Sequence, residues 1–245
     1  MLFVHGKWHG AWCWDEHFLP YFAGHGYDCT AFSLRGHAGS EGREKLRWTS
    51  IADYVEDLEQ VAGRFEAPPV IIGHSMGGFI TQKYLETHHN HPAAVLLTPI
   101  PPTGLWPTTF LVLRERPRVL FKSIASLGLY PVVETLEVAR WSLFSKDFPQ
   151  ELLEKYHPCL QNESFRSYLD ELGLNLVNPQ RVKTPMLIIG AENDTLIPPG
   201  MVQGAARKYG LEAKIFAHIA HDMMLEAGWE RVAETILDWL EERGL

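Results

Sequence analysis

A serine hydroxyl becomes a useful nucleophile near neutral pH only when a base takes its proton and a carboxylate orients that base. One serine of this chain has the setting for that chemistry: Ser75, in Gly73-His74-Ser75-Met76-Gly77-Gly78. The hexapeptide follows the apolar run Val70-Ile71-Ile72 and precedes Phe79-Ile80-Thr81-Gln82-Lys83-Tyr84-Leu85, whose pattern is helical. That context predicts strand, sharp turn and helix with the serine at the apex, a nucleophile elbow. The turn strains the serine backbone, and only glycines two residues either side leave room for the bend. Gly73 and Gly77 stand at those positions. Composition alone produces a Gly-x-Ser-x-Gly match in about one such chain in fifteen, so the flanking pattern and the partners downstream carry the weight.

Both partners follow in the order serine, acid, histidine. Met186-Leu187-Ile188-Ile189-Gly190 reads as a strand, and Ala191-Glu192-Asn193-Asp194 leaves its carboxyl end before Pro198-Pro199 open the next helix. Asp194 is the candidate acid; Glu192, nearer the strand end, competes with it. After the strand 214–217 comes His218-Ile219-Ala220-His221-Asp222-Met223. His221, out in the loop, is the candidate base, whereas His218 is expected to complete the strand and is the alternative. Acyl transfer also needs backbone N–H groups aimed at a developing oxyanion. One is assigned to Met76, where the unpaired N–H groups and dipole of a helix start already favour negative charge. The other is assigned to Lys7 in the loop His5-Gly6-Lys7-Trp8, its ammonium expected in solvent and Trp8 expected beside the substrate. His5 and His74 are expected to brace the two loops.

Short β-branched runs at 2–5, 27–33, 70–74, 93–98, 186–190 and 214–217 predict about six strands. Between them 14–23, 51–65, 79–88, 199–209 and 230–242 carry apolar residues at helical spacing, with Ser50 and Asp53 as a capping box. Such alternation implies an α/β fold with a mostly parallel central sheet, helices on both faces, and functional loops at the carboxyl ends of the strands. The rhythm breaks from 99 to 182, where Pro99, Pro101, Pro102 and Pro107 open a segment with helical patterns at 111–129, 132–144, 152–156 and 165–174 and no strands. The expected division is a core of 1–98 and 183–245 with a helical cap inserted at 99–182. Trp106, Phe110, Trp141 and Phe144 are expected to wall the pocket over the serine, or else to form the insertion's own core.

Composition narrows the partners. With 245 residues, 46% hydrophobic and 21% charged, the chain can bury one large core. A net charge of −8 disfavours nucleic acid as a partner, and Arg114-Glu115-Arg116-Pro117-Arg118 mixes signs as a solvated face does. Three cysteines without Cys-x-x-Cys spacing suggest neither disulfides nor zinc. His88-His89-Asn90-His91 reads as the end of a helix before Pro92, so no metal or cofactor is expected. The amino terminus has no signal-peptide pattern and no apolar run is long enough to cross a bilayer, so the expectation is a cytoplasmic protein without membrane insertion.

Val4-His5-Gly6, the elbow at 73–78, Asp194 before Pro198, and His221 together resemble the α/β-hydrolase superfamily in order and spacing, over nearly the whole chain. His5-Gly6-Lys7-Trp8-His9-Gly10-Ala11-Trp12-Cys13-Trp14 is similar to the branch of plant-type methylesterases and hydroxynitrile lyases. Phe32-Ser33-Leu34-Arg35-Gly36-His37-Ala38-Gly39-Ser40 resembles the superfamily's Asp-x-Arg-Gly-His-Gly-x-Ser stretch, with Ser33 and Ala38 replacing Asp and Gly. The resemblance implies a two-step hydrolysis of a small-molecule ester through an acyl-enzyme, without cofactor. Serine at the elbow separates it from epoxide hydrolases and haloalkane dehalogenases, which use a carboxylate. Asp222 stands where the lyases of the branch carry a lysine, which opposes a lyase. A lysophospholipase, lactonase, thioesterase or C–C hydrolase uses the same triad, and a low-turnover ligand receptor keeps the same pocket.

Overall fold

The computed structural model describes Met1–Leu245. Six strands, β1 (Leu2–Val4), β2 (Thr30–Phe32), β3 (Ile71–His74), β4 (Ala94–Leu97), β5 (Met186–Ala191) and β6 (Lys214–Phe216), form one sheet in the order β2-β1-β3-β4-β5-β6. Every neighbouring pair is parallel. The central strands β1, β3, β4 and β5 are buried along their whole length, because helices cover both faces, and apart from His74 at the end of β3 their sequences are accordingly apolar runs.

Around the sheet lie α1 (Trp12–Asp15), α2 (Phe18–Gly24), α3 (Ile51–Ala62) and α4 (Met76–Tyr84). Then α5 (Trp106–Glu115), α6 (Pro117–Ser126), α7 (Leu136–Leu143), α8 (Gln150–Tyr156) and α9 (Phe165–Leu169) follow β4 with no strand among them. Finally α10 (Pro199–Lys208) follows β5, and α11 (Trp229–Glu241) ends the chain. The capping box at Ser50 and Asp53 is present in both directions. Two helical patterns divide. Pro117 forces Arg116 out of helical geometry, to φ −135° and ψ 55°, and turns the expected 111–129 helix into the α5–α6 hairpin. Between α1 and α2, His17 breaks the helix expected at 14–23 with φ −136° and ψ −55°.

The strand order positions the site. The chain runs outward from β1 to β2 and then returns to the other side of β1 for β3, so β1 and β3 are neighbours whose loops leave in opposite directions around the sheet. This is the switch point where open parallel sheets leave a crevice. Val4 pairs with Gly73, so the loop after β1 and the elbow after β3 start level with one another.

The segment after β4 shares a continuous apolar core with the sheet, through residues such as Leu105, Leu143, Phe148 and Phe165. Buried carboxylates pin it as well. Glu163 lies 3.0 Å from His37 Nε2 and accepts from Tyr54 Oη at 3.0 Å; Asp170 accepts from the Ile51 N–H at 2.9 Å. Burial alone would raise the Glu163 pKa, but His37, together with the Lys7 charge and the Ser164 N–H, outweighs it and holds the carboxyl down at about 2. A carboxyl depressed from 4.5 to about 2 contributes stability above 4.5 that is lost as pH falls toward 2. Glu163→Gln is therefore expected to cost about 3 kcal/mol at pH 7, and the gap from wild type should close in denaturation series taken between pH 4.5 and 2.

Candidate active site

Ser75 Oγ lies 2.9 Å from His221 Nε2, and His221 Nδ1 lies 2.7 Å from Asp194 Oδ2. The second carboxylate oxygen accepts the Ile197 N–H at 2.8 Å, so Asp194 is fixed at both ends. All three side chains are buried. With a carboxylate on Nδ1, the imidazole carries its hydrogen there and leaves Nε2 to accept the serine proton. Ser75 has φ 52° and ψ −114°, the strained conformation expected of the apex residue.

Strand spacing explains the choice between the two histidines. β6 is three strands from β3, about 14 Å across the sheet, so a residue at the strand end cannot reach Ser75. His221 is carried inward by the loop, whereas His218 is exposed in the turn after β6, with φ 61°, and does not complete the strand. Its backbone N–H donates to Glu192 Oε2 at 3.1 Å, which takes the competing acid out of the site as well. Thr98, which sequence reasoning did not single out, donates from Oγ1 to the His221 carbonyl at 3.2 Å, and His74 Nε2 donates to the same oxygen at 2.9 Å. His74 is thus a brace, and burial beside His221 pushes its pKa down to about 3. His5 is a brace of the same kind: its Nε2 accepts the Leu34 N–H and its Nδ1 donates to the Gly6 carbonyl.

The N–H groups of Lys7 and Met76 donate to no other group of the chain. The Lys7 side chain departs from its sequence expectation. It is only 4% exposed, its Nζ lying 3.0 Å from Glu171 Oε2 and 3.1 Å from Ser167 Oγ. A lysine can be buried when a carboxylate comes to meet it, and this one arrives from the segment after β4. Burial raises the Glu171 pKa to about 7, with Lys7 only partly opposing the rise. Trp8, at φ 66°, ties the same loop to that segment, its Nε1 donating to the Leu129 carbonyl and its own carbonyl accepting from the Gln161 N–H.

A pocket with about 600 Å³ of space, mouth included, opens at Ser75 between Lys7 and Trp8 on one side and α5 and α6 on the other. Ile100, Leu105, Val112, Leu129, Val132 and Ile197 make its wall mostly apolar. The polar wall groups are already engaged: Thr108 with the Leu196 carbonyl, Thr109 with Tyr168, and Ser123 with the Val119 carbonyl. Of the aromatics expected there, only Trp8 lines it. Trp106 and Phe110 are 61% and 67% exposed, on a face of α5 other than the one bearing Thr108 and Val112. Trp141 and Phe144 border a separate, charged hollow with Arg116, Arg140 and Asp147. In the stretch 32–40 Ala38 takes φ 45°, the conformation a glycine would adopt freely, and Ser33 Oγ accepts the Ala11 N–H.

A family model described as the alpha/beta hydrolase family matches residues 1–235. The chain belongs to that family. The hydrolase is 23% identical over 251 residues to a pyrethroid hydrolase of Sphingobium wenxiniae, covering 98% of this chain and 87% of the relative. It is 34% identical to methyl jasmonate esterase 1 of Vitis vinifera over 79 residues, 31% of this chain and 30% of that one. The crystal structure of polyneuridine aldehyde esterase aligns with a TM-score of 0.75 over 97% of both chains at 18% identity. These relatives are hydrolases and esterases by name, and the enzyme is carboxylesterase-like. No helix is long and apolar enough to cross a membrane.

Charge around His221 sets a pH dependence for the hydrolase. Burial alone would lower its pKa, but the charge and hydrogen bond of Asp194, with a smaller contribution from Asp222, leave it above the ordinary 6.5. An imidazole must be neutral to take a proton, so with His221 in the role of base kcat/KM is expected to fall as pH drops through a midpoint above 6.5, measured as a pH–rate profile in buffers of constant ionic strength.

Proposed function

We propose that this enzyme hydrolyses carboxylic esters of small-to-medium apolar acyl or aryl groups with Ser75 as nucleophile, His221 as general base and Asp194 as its orienting acid. The observation that carries the reading is the relay of 2.9 Å and 2.7 Å from Ser75 through His221 to Asp194, at the floor of an apolar pocket. Ser75 Oγ attacks the ester carbonyl carbon while His221 Nε2 takes the hydroxyl proton. The unpaired N–H groups of Met76 and Lys7 receive the oxyanion. When the intermediate collapses, His221 returns the proton to the leaving alcohol; water then repeats the sequence and frees the acid. Because the wall's polar atoms are engaged internally, the pocket offers little to a polar acyl group and desolvates an apolar one favourably. The esterase names among the relatives support the same reaction class.

Steady-state hydrolysis of p-nitrophenyl esters from acetate to palmitate tests the reading. Turnover should peak at short-to-medium chains and collapse at palmitate. An optimum at palmitate would overturn the size assignment. Faster turnover of short esters with polar acyl groups than of apolar ones of equal length would overturn the apolar preference.

A further inference from the structure

Asp222 follows His221 directly, yet it takes no part in the relay from Ser75 to Asp194. It is fully buried and forms no part of the pocket wall. Its Oδ2 lies 3.0 Å from His9 Nε2. His9 is also buried, and its Nδ1 lies 2.6 Å from the carbonyl oxygen of Lys7. A carbonyl can only accept, so Nδ1 donates there, and the proton between Nε2 and Oδ2 completes the second contact. The bridge is charge-assisted, and it joins the peptide that follows Lys7 to the residue that follows His221.

Sheet topology gives this bridge its importance. Lys7 leaves β1 and His221 leaves β6, four strands apart and about 19 Å across the sheet. No ladder of main-chain hydrogen bonds can set those two loops in register. The backbone at 221–222 is held from elsewhere: Asp222 N–H donates to the Leu143 carbonyl, and the His221 carbonyl accepts from His74 and Thr98. Asp222 Oδ1 remains without a hydrogen bond, 3.9 Å from His74 Nε2. An unsatisfied buried carboxylate oxygen is costly, and a neutral amide would fill the same space with less charge to bury.

Resting on the serine-hydrolase reading above, we propose that His9 and Asp222 are a positioning pair that holds the backbone at Lys7, through its carbonyl, in register with His221, so that the Lys7 N–H and the general base keep one geometry. A misplacement of about 1 Å in such a constellation costs up to about a hundredfold in rate.

The test compares wild type with His9→Gln, Asp222→Asn and the double variant. The readouts are kcat and KM for p-nitrophenyl butyrate, inhibition by a trifluoromethyl ketone that forms a tetrahedral adduct with serine, and the acid limb of kcat/KM. Glutamine can still reach Asp222 but cannot also donate to the Lys7 carbonyl. His9→Gln should lower kcat and weaken the ketone by about tenfold or more each, with KM within about twofold of wild type. The groups facing His221 are Asp194, Asp222, His74 and Ser75, with His9 and Cys13 beyond Asp222. Loss of the Asp222 charge moves the acid limb down, which a purely structural role would not do. The double variant should lose no more than the worse single one. Additive losses, or a folded His9→Gln with unchanged kcat, would overturn the pair. If Asp222→Asn does not fold, His9→Gln alone decides. A fluorophosphonate probe separates the two levels. Failure to label wild type sinks the Ser75 reading, whereas equal labelling rates in wild type and His9→Gln sink only the positioning pair.

Discussion

Ser75→Ala is expected to lower kcat for p-nitrophenyl butyrate by about ten-thousand-fold or more while leaving the protein folded. The magnitude follows from what the hydroxyl does and does not do. Its oxygen lies 2.9 Å from His221 Nε2 and provides no side-chain cap to α4, so the helix loses nothing when it goes. Alanine keeps the same Cβ, so the strain at φ 52° is unchanged. Thermal unfolding should therefore give nearly the wild-type midpoint, and the residual rate should be what donors such as Met76 and Lys7 achieve with water as nucleophile. The measurement is steady-state kinetics with circular dichroism on the same preparation. A variant that keeps more than a few per cent of wild-type turnover would assign the nucleophile elsewhere.

The parts of this enzyme that could be read in one dimension are those whose physics is local. Val70-Ile71-Ile72 before Gly73 and Phe79–Leu85 after Gly78 mark the elbow because a short β-branched apolar run reads as a buried parallel strand and a longer segment free of glycine and proline reads as a helix, even though α4 is buried at every residue but Lys83. The six strands are legible for the same reason. What could not be read depends on contacts between distant residues. The Lys7 side chain is expected in solvent unless Glu171 is known to arrive beside it, and that requires the placement of the entire 99–182 segment. Trp106 and Phe110 fail as pocket residues because α5 has more than one face and its composition does not say which one meets Ser75. Pro117 was a local signal for the α5–α6 break, but the apolar spacing on either side runs through it. The His9–Asp222 bridge leaves no periodic trace at all, since a single polar pair across four strands carries no pattern.

Gly77→Ala is expected to break the elbow with a single added methyl group. A Cβ at Gly77 would stand 2.2 Å from the Val4 carbonyl oxygen and 2.5 Å from that of His5. Both obstacles are backbone, so no side chain can turn aside to admit it. β1 is held between β2 and β3 and cannot retreat without breaking one of its two ladders. Loss of more than about 3 kcal/mol in chemical denaturation, or failure to accumulate as soluble protein, is the expected result. Gly200→Ala is the control: it lies in α10, a Cβ there meets nothing within 4 Å, and stability should hold or rise by about 0.5 kcal/mol. A Gly77→Ala enzyme with wild-type stability and activity would show that the elbow and the loop after β1 have room between them. That would also remove the basis for the oxyanion assignment, because the closeness that excludes a methyl group at residue 77 is what brings the N–H of Met76 beside the loop carrying the N–H of Lys7.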